Sequence, residues 1–293
     1  MSKILKYKIY YSYYMFKLLI YNNVNFHYEI IESIIVNYHN ILNIDKDINI
    51  ELSLHTLSNN SFNNYIKNKY PSIKFNKISD YDYFIDCTIY DKDFDKLDSY
   101  INSKKKYISH EITERLKTNP NVYFLTPLSK NNYIYTDILP FPNNKIENSV
   151  PIYIIQGMLT EKRRDYNMLI KILDNTYDYK FIIKLLGKGN IPKCLNKYKD
   201  KIVLKNNLNF IDYHKEFLDA YCILPLINKK LFPHYYKNKL TSTINYCRGY
   251  KLKCLIDKDL QDIYNLNNSI VFNDINDITD GFIKSLNVFY NKN

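Results

Sequence analysis

The chain has 293 residues, 46% of them apolar and 24% charged, which is long enough for two domains of ordinary size. These proportions exclude a disordered chain, a collagen and a disulfide miniprotein, and no apolar run approaches the ~20 residues of a membrane span. The net charge is +11, and the five Cys show no CxxC spacing; with no signal peptide, this predicts reduced thiols in a cytoplasmic setting.

Residues 1–14 are basic and Tyr-rich and read as an N-terminal extension, with Met15 as an alternative start. FKLLIYNN (16–23) reads as a buried strand. HYEIIESIIVNYHNIL (27–42) places Ile30, Ile31, Ile34, Ile35 and Tyr38 at helical spacing. INIELSLHTL (48–57) alternates as a second strand, and the helix Asn60–Lys69 is closed by Pro71. IKFNKIS and YDYFIDCTIY follow as strands, and KKYISHEI and NVYFLTPL as the last of this half. Residues 137–151 hold three of the nine prolines and mark the junction. The first domain is therefore drawn as 15–140, the linker as 141–151 and the second domain as 152–293.

After the junction the pattern restarts. IYIIQG (152–157) is a strand ending at Gly, RDYNMLIKILDN (164–175) a helix, and KFIIKLLGKG (180–189) a strand ending in glycines. KIVLKN is a strand, FIDYHKEFLDA (210–220) a helix and YCILPLI (221–227) a buried strand. LTSTINYCRG (240–249) is a helix, KLKCLID and SIVFND are strands, and DITDGFIKSLNVFYN is the closing helix. Strands alternating with helices predict parallel sheets, hence an α/β fold of two Rossmann-like halves facing across a cleft.

Tyr (31), Asn, Lys and Ile abound, Trp is absent and Ala occurs once, at Ala220. The favoured residues have A/T-rich codons, so the bias is read as that of an AT-rich genome, and part of the positive charge as drift toward Lys. Residues with G/C-rich codons then carry more weight: Arg only at 115, 163, 164 and 248, and Gly only at 157, 187, 189, 249 and 281. Gly157 leaves a strand, and Arg163 and Arg164 open the next helix. Such a turn presents backbone N–H groups, a positive dipole end and guanidinium forks to an anion; alternatively the pair bonds Glu161 or Asp165. Gly187, Lys188 and Gly189 form a second strand exit of the same half, a pattern a tight turn also satisfies. Lys239, Thr241, Ser242 and Thr243 precede or open another helix, either as a second anion site or with Thr241 as a simple N-cap. In the first half, His27 and His110 each follow a strand. Each is either a local packing or capping residue or a proton acceptor near neutral pH.

Residues 152–293 resemble the donor-binding domain of GT-B glycosyltransferases. The resemblance rests on QGMLTEKRRDYNMLIKIL, KFIIKLLGKG, YCILPLI and LTSTINYCRGYKLKCLID. It implies that Arg164 stands where the family often has a diphosphate-binding Lys, and that Gly249 is the helix-ending Gly. The family's Arg after the strand-exit Gly is Met158 here, and its paired Glu, eight apart, would fall near Tyr236 and Ile244. Absence of that pair points away from the retaining subgroup. The implied activity is transfer of a sugar from a nucleotide-diphosphate donor to a glycan or protein hydroxyl, with no metal or other cofactor. Asp91-Lys92-Asp93 is read as a loop rather than a metal motif. The donor diphosphate would meet Arg163, Arg164 and Lys239, with His27 as base and His110 in reserve. A decayed, binding-only member is the alternative. A nucleic-acid partner is not expected, because basic and aromatic residues are spread evenly; membrane contact is expected to be peripheral at most.

Overall fold

The computed structural model describes residues 15–57, 59–75, 80–100, 104–130, 132–134 and 145–291. The expected N-terminal extension and residues 141–144 of the expected linker lie outside them. The chain divides into two compact units, residues up to 136 and from 137 onward.

The first unit is built on β1 (Phe16–Asn22), β2 (Ile50–Thr56), β3 (Lys74–Phe75), β4 (Tyr83–Asp86), β5 (Lys104–Ser109) and β6 (Val122–Phe124). All pair in parallel, in the order β3-β2-β1-β4-β5-β6. Four helices are described here: α1 (Ile31–Leu42), α2 (Asn60–Lys69), α3 (Phe94–Tyr100) and α4 (Glu114–Lys117). The central strands β1 and β4 are apolar without alternation because both faces of a parallel sheet are covered. Helix α1 buries Ile31, Ile34, Ile35 and Ile41 along one stripe and stops at Asn43, which takes φ 53°. The Asn59 side chain caps α2 by accepting from the Phe62 N–H, and Thr113 caps α4 through the Leu116 N–H.

The second unit holds β7 (Ile152–Met158), β8 (Ile182–Lys188), β9 (Ile202–Asn206), β10 (Cys222–Ile223), β11 (Lys253–Asp257) and β12 (Ser269–Phe272). They are again all parallel, in the order β12-β11-β10-β7-β8-β9. Its helices are α5 (Tyr166–Asn175), α6 (Phe210–Lys215), α7 (Ser242–Gly249), α8 (Lys258–Tyr264) and α9 (Ile278–Tyr290). Counted from the first strand of each unit, both sheets follow one order, 3-2-1-4-5-6, with the reversal between the first and fourth strands. The core packs Tyr153 against Phe181 and Phe282, with Leu169, Leu173 and Leu286. Residues 145–148 are tied to this unit: Ile146 N–H donates to Leu218 O, and the Asn148 amide to Asp219 O.

Several expected boundaries are corrected. Only Cys222–Ile223 of YCILPLI is strand, because Pro225 has no N–H and Leu226 takes φ 50°. Helix 210–220 ends at Lys215, and Asp91–Asp93 is a 3-10 turn leading into α3 rather than a loop. IKFNKIS shortens to Lys74–Phe75, with residues 76–79 outside the described set. All five Cys are free thiols, with only Cys194 exposed. No helix among the described residues is long and apolar enough to cross a membrane.

Candidate functional site

In the first unit, the carboxyl ends of the neighbouring strands β1, β4 and β5 bring His27, Thr88 and His110 together. The Asn22 amide, at the end of β1, donates to Val24 O and Phe26 O at 3.1 Å and so folds the loop that delivers His27. His27 takes φ 61°, a left-handed conformation uncommon for a residue with a Cβ, and precedes the 3-10 turn Tyr28–Ile30 instead of opening a helix. Its ring stacks on His110, centroids 3.6 Å apart and planes 15° from parallel, and its Nδ1 lies 3.4 Å from Thr88 Oγ1. Thr88 is held in turn: its N–H donates to Asp86 Oδ1 at 2.9 Å. Burial lifts the Asp86 carboxyl to about 7, with Asp93 adding to the rise. The two histidines, read as separate candidates in the sequence, form one stacked pair.

In the second unit, the site gathers at the carboxyl end of β7. Gln156, 2% exposed, is the centre of its hydrogen bonds. Its Nε2 donates to Ser242 Oγ (3.3 Å) and Thr243 Oγ1 (3.1 Å), and its Oε1 accepts from the Tyr213 hydroxyl at 2.9 Å. Its backbone carbonyl accepts from Arg164 Nη2 at 2.6 Å. Arg164 is 5% exposed; Nη1 donates to Arg163 O, Nη2 also reaches Thr243 Oγ1 at 3.4 Å, and Nε has no hydrogen-bond partner among the described residues. Arg164 makes no ion pair among the described residues. Burial lowers its pKa, against an opposing pull from the Tyr235, Tyr166 and Tyr213 phenols. The Tyr166 hydroxyl is buried and likewise has no hydrogen-bond partner among the described residues. The site thus holds a buried cation, two unused polar atoms and the hydroxyls that begin α7.

The arginines do not open a helix as expected. α5 starts at Tyr166, and Asp165 is its N-cap, accepting from Asn167 N–H and from the Asn228 amide. The Asp165 N–H donates to Leu226 O, so the left-handed turn after β10 clamps the segment carrying Arg164. Arg163, half-buried, lies in the preceding turn. Gly157 and Gly187 are not at strand exits but inside β7 and β8, facing each other in register. Gly187 takes φ 149°, and a Cβ there would lie 1.8 Å from Gly157 O, so the close pairing of the two strands demands it. A Cβ on Gly157 would meet Arg164 Nη2 at 3.3 Å, and one on Gly189 would meet Leu159. Lys188 is exposed. Thr241 occupies the N-cap of α7 but its side chain makes no capping bond. Lys239 is half-buried, its N–H bound to His234 O and its carbonyl accepting from the Tyr264 hydroxyl at 3.5 Å.

Sequence reading missed Gln156, Tyr166, Tyr213 and Tyr235. Only Gln156 carried a signal, as the one amide side chain in the otherwise apolar run IYIIQG.

No family model matches the chain, and no curated protein matches it. Among solved structures it is similar to AviGT4, a glycosyltransferase involved in avilamycin A biosynthesis, with TM-score 0.53 and 9% identity over 94% of this chain and 93% of that one. It is similar to UDP-GlcNAc 2-epimerase from Methanocaldococcus jannaschii, with TM-score 0.52 and 12% identity over 94% and 93%. It is also similar to an α-glucosyltransferase in complex with UDP and a 13-mer DNA, with TM-score 0.53 and 11% identity over 94% and 90%. The likeness is one of fold: the chain has the GT-B fold, two Rossmann-like units each built on a six-stranded parallel sheet.

Proposed function

We propose that this chain is a glycosyltransferase whose second unit binds a nucleoside-diphosphate sugar and whose first unit supplies the base. The observation that carries the reading is Arg164: a guanidinium 5% exposed, with no carboxylate partner among the described residues and an unused Nε, set beside the N-terminus of α7. A buried charge without a counter-ion is strongly unfavourable, so an anionic ligand is the economical complement. The half-buried hydroxyl of Ser242 and the positive end of α7, with Thr243 buried behind them, suit phosphate oxygens. Arg163, Lys239 and the 187–189 turn are assigned supporting contacts to the donor. The fold neighbours agree in kind, since one is crystallised with UDP and another is named for UDP-GlcNAc.

The chemistry assigned to these residues is short. An imidazole of the His27–His110 pair takes the proton of the acceptor hydroxyl. The acceptor oxygen bonds to the anomeric carbon, and the bond from that carbon to the diphosphate oxygen breaks toward the diphosphate. Arg164 and the α7 N-terminus stabilise the negative charge that develops there, the main catalytic term in this scheme, with no metal assigned.

Calorimetric titration with UDP, ADP and GDP, followed by sugar release from the matching nucleotide sugars, tests the reading. Arg164→Ala is expected to weaken nucleoside-diphosphate binding by about 1.5–3 kcal/mol, the range of a charge-assisted hydrogen bond. Equal affinity in the variant and the parent would overturn the donor site.

A further inference from the structure

We infer that Gln156 sets the polarity of the anion site, holding the Ser242 and Thr243 hydroxyls as hydrogen-bond donors so that the site selects fully ionised phosphate; this rests on the donor reading above. Gln156 is not at the ligand-facing end of any charged group and acts through others, so its role is one of positioning.

The argument follows the direction of each hydrogen bond. A phenol and a hydroxyl can each donate or accept, whereas an amide has a fixed donor end and a fixed acceptor end. In the structure Gln156 presents Oε1 to the Tyr213 O–H, which donates to it at 2.9 Å, and Nε2 to α7. Nε2 then donates to Ser242 Oγ at 3.3 Å and to Thr243 Oγ1 at 3.1 Å. Arg164 Nη2 adds a second donor to Thr243 Oγ1 at 3.4 Å. Each hydroxyl thus accepts from the protein side and keeps its own proton to give, Thr243 from a buried position behind Ser242. Ser242 is half-buried at the first position of α7, where the helix N-terminus already favours negative charge. The buried Arg164 Nε is the third donor of the set and has no hydrogen-bond partner among the described residues.

A site made only of donors accepts a ligand that is only an acceptor. The last proton on a terminal phosphate would meet another donor there, and its binding would be opposed. Three bonds from one side chain that is 2% exposed, with a fourth at its backbone carbonyl, tie β7 to α6, α7 and the Arg164 turn and make Gln156 the residue on which this polarity depends.

The test uses the full chain, with UDP and inorganic pyrophosphate as probes, titrated calorimetrically from pH 5.5 to 8. The variant Gln156→Glu keeps the shape but replaces the donor end with an acceptor, so the two hydroxyls turn inward to the carboxylate, which also neutralises Arg164. The expected result is at least a tenfold loss of pyrophosphate affinity at pH 8, about the effect of 1.4 kcal/mol. Affinity in the parent should rise with pH as the terminal phosphate of UDP loses its last proton near pH ~6, and in Gln156→Glu this rise should vanish or reverse. Tyr213→Phe, which leaves the charge untouched, should weaken binding less and flatten the same rise. Ligand-free thermal unfolding of each variant reports whether the fold is intact. A parent chain that binds neither probe overturns the donor reading itself. A parent that binds, with Gln156→Glu folded and weakened equally at every pH or not at all, overturns the role given to Gln156.

Discussion

Arg164 and His27 are both held in a local state that departs from what a stable protein needs for itself. One is a buried cation with no counter-ion among the described residues, the other a left-handed residue with a full side chain. Each costs stability on its own, and such costs gather where a site is held ready. His27→Ala is expected to lower turnover by about 10²–10⁴-fold, the usual size of general-base catalysis, while donor affinity stays within error of the parent. Loss of both together in paired calorimetric and turnover measurements would make His27 structural. Asp86 supplies a stability prediction with a definite sign. Its native value is about 7 against an ordinary 3.8. Below 3.8 the carboxyl is protonated whether or not the chain is folded, and it affects nothing. Between 3.8 and 7 the unfolded chain releases the proton while the native chain keeps it, so stability falls as pH rises through that window. Asp86→Asn keeps an oxygen to accept the Thr88 N–H and has no proton to lose. Urea unfolding should show the variant more stable at pH 8 by a few kcal/mol, with the gain gone near pH 3.5. The Arg pair was visible in the sequence because arginine is scarce in this chain. Burial of Arg164 was not, because it depends on Thr243, Tyr213 and Tyr235 arriving from distant segments.

At the scale of elements, the meeting of β7 and β8 decides where the site can be. The two strands run past their glycines, and Gly157 and Gly187 sit opposite each other so closely that no side chain fits between them. Gly187→Ala would force its Cβ against Gly157 O and keep an alanine at φ 149°. Overpacking and backbone strain together are expected to cost about 3 kcal/mol or more, read as a lower urea midpoint. Nucleotide affinity should fall with it, because Gly157 carries the strand end on which Arg164 Nη2 is bonded. A variant as stable as the parent would mean the strands part without penalty. The central strands were legible because a parallel sheet covered on both faces writes continuous apolar runs such as LLI and IYII. The same rule overextended YCILPLI, where an apolar run continues but Pro225 and the left-handed Leu226 end the strand. FDKLDSY, the sequence of α3, was invisible for the opposite reason: it is short and mostly polar, and is fixed by Phe94 packing on Tyr107.

At the scale of the molecule, two units share one strand order but divide the labour assigned to them. All residues of the Gln156–Arg164 group, Tyr166, Tyr213, Tyr235, Ser242 and Thr243 among them, belong to the second unit, as do the six strands of its sheet. Its core is its own, with Tyr153, Phe181 and Phe282 packed ring on ring and the Tyr153 hydroxyl bonded to Ser285. Residues 145–148 are fastened to it through Leu218, Asp219 and Lys251. A chain of about 150 residues buries enough of its surface to fold alone. Residues 145–293 expressed by themselves are therefore expected to unfold in one cooperative thermal transition. They should bind UDP within about threefold of the full chain, the scatter expected of sites that do not interact, and should release no sugar from a nucleotide sugar to a hydroxyl acceptor, since the His27–His110 pair is missing. Binding retained without transfer would place donor recognition in the second unit and proton removal in the first. Loss of UDP binding from a fragment that still melts cooperatively would show that the anion site is incomplete without the first unit, and would overturn the assignment of donor binding to these residues alone.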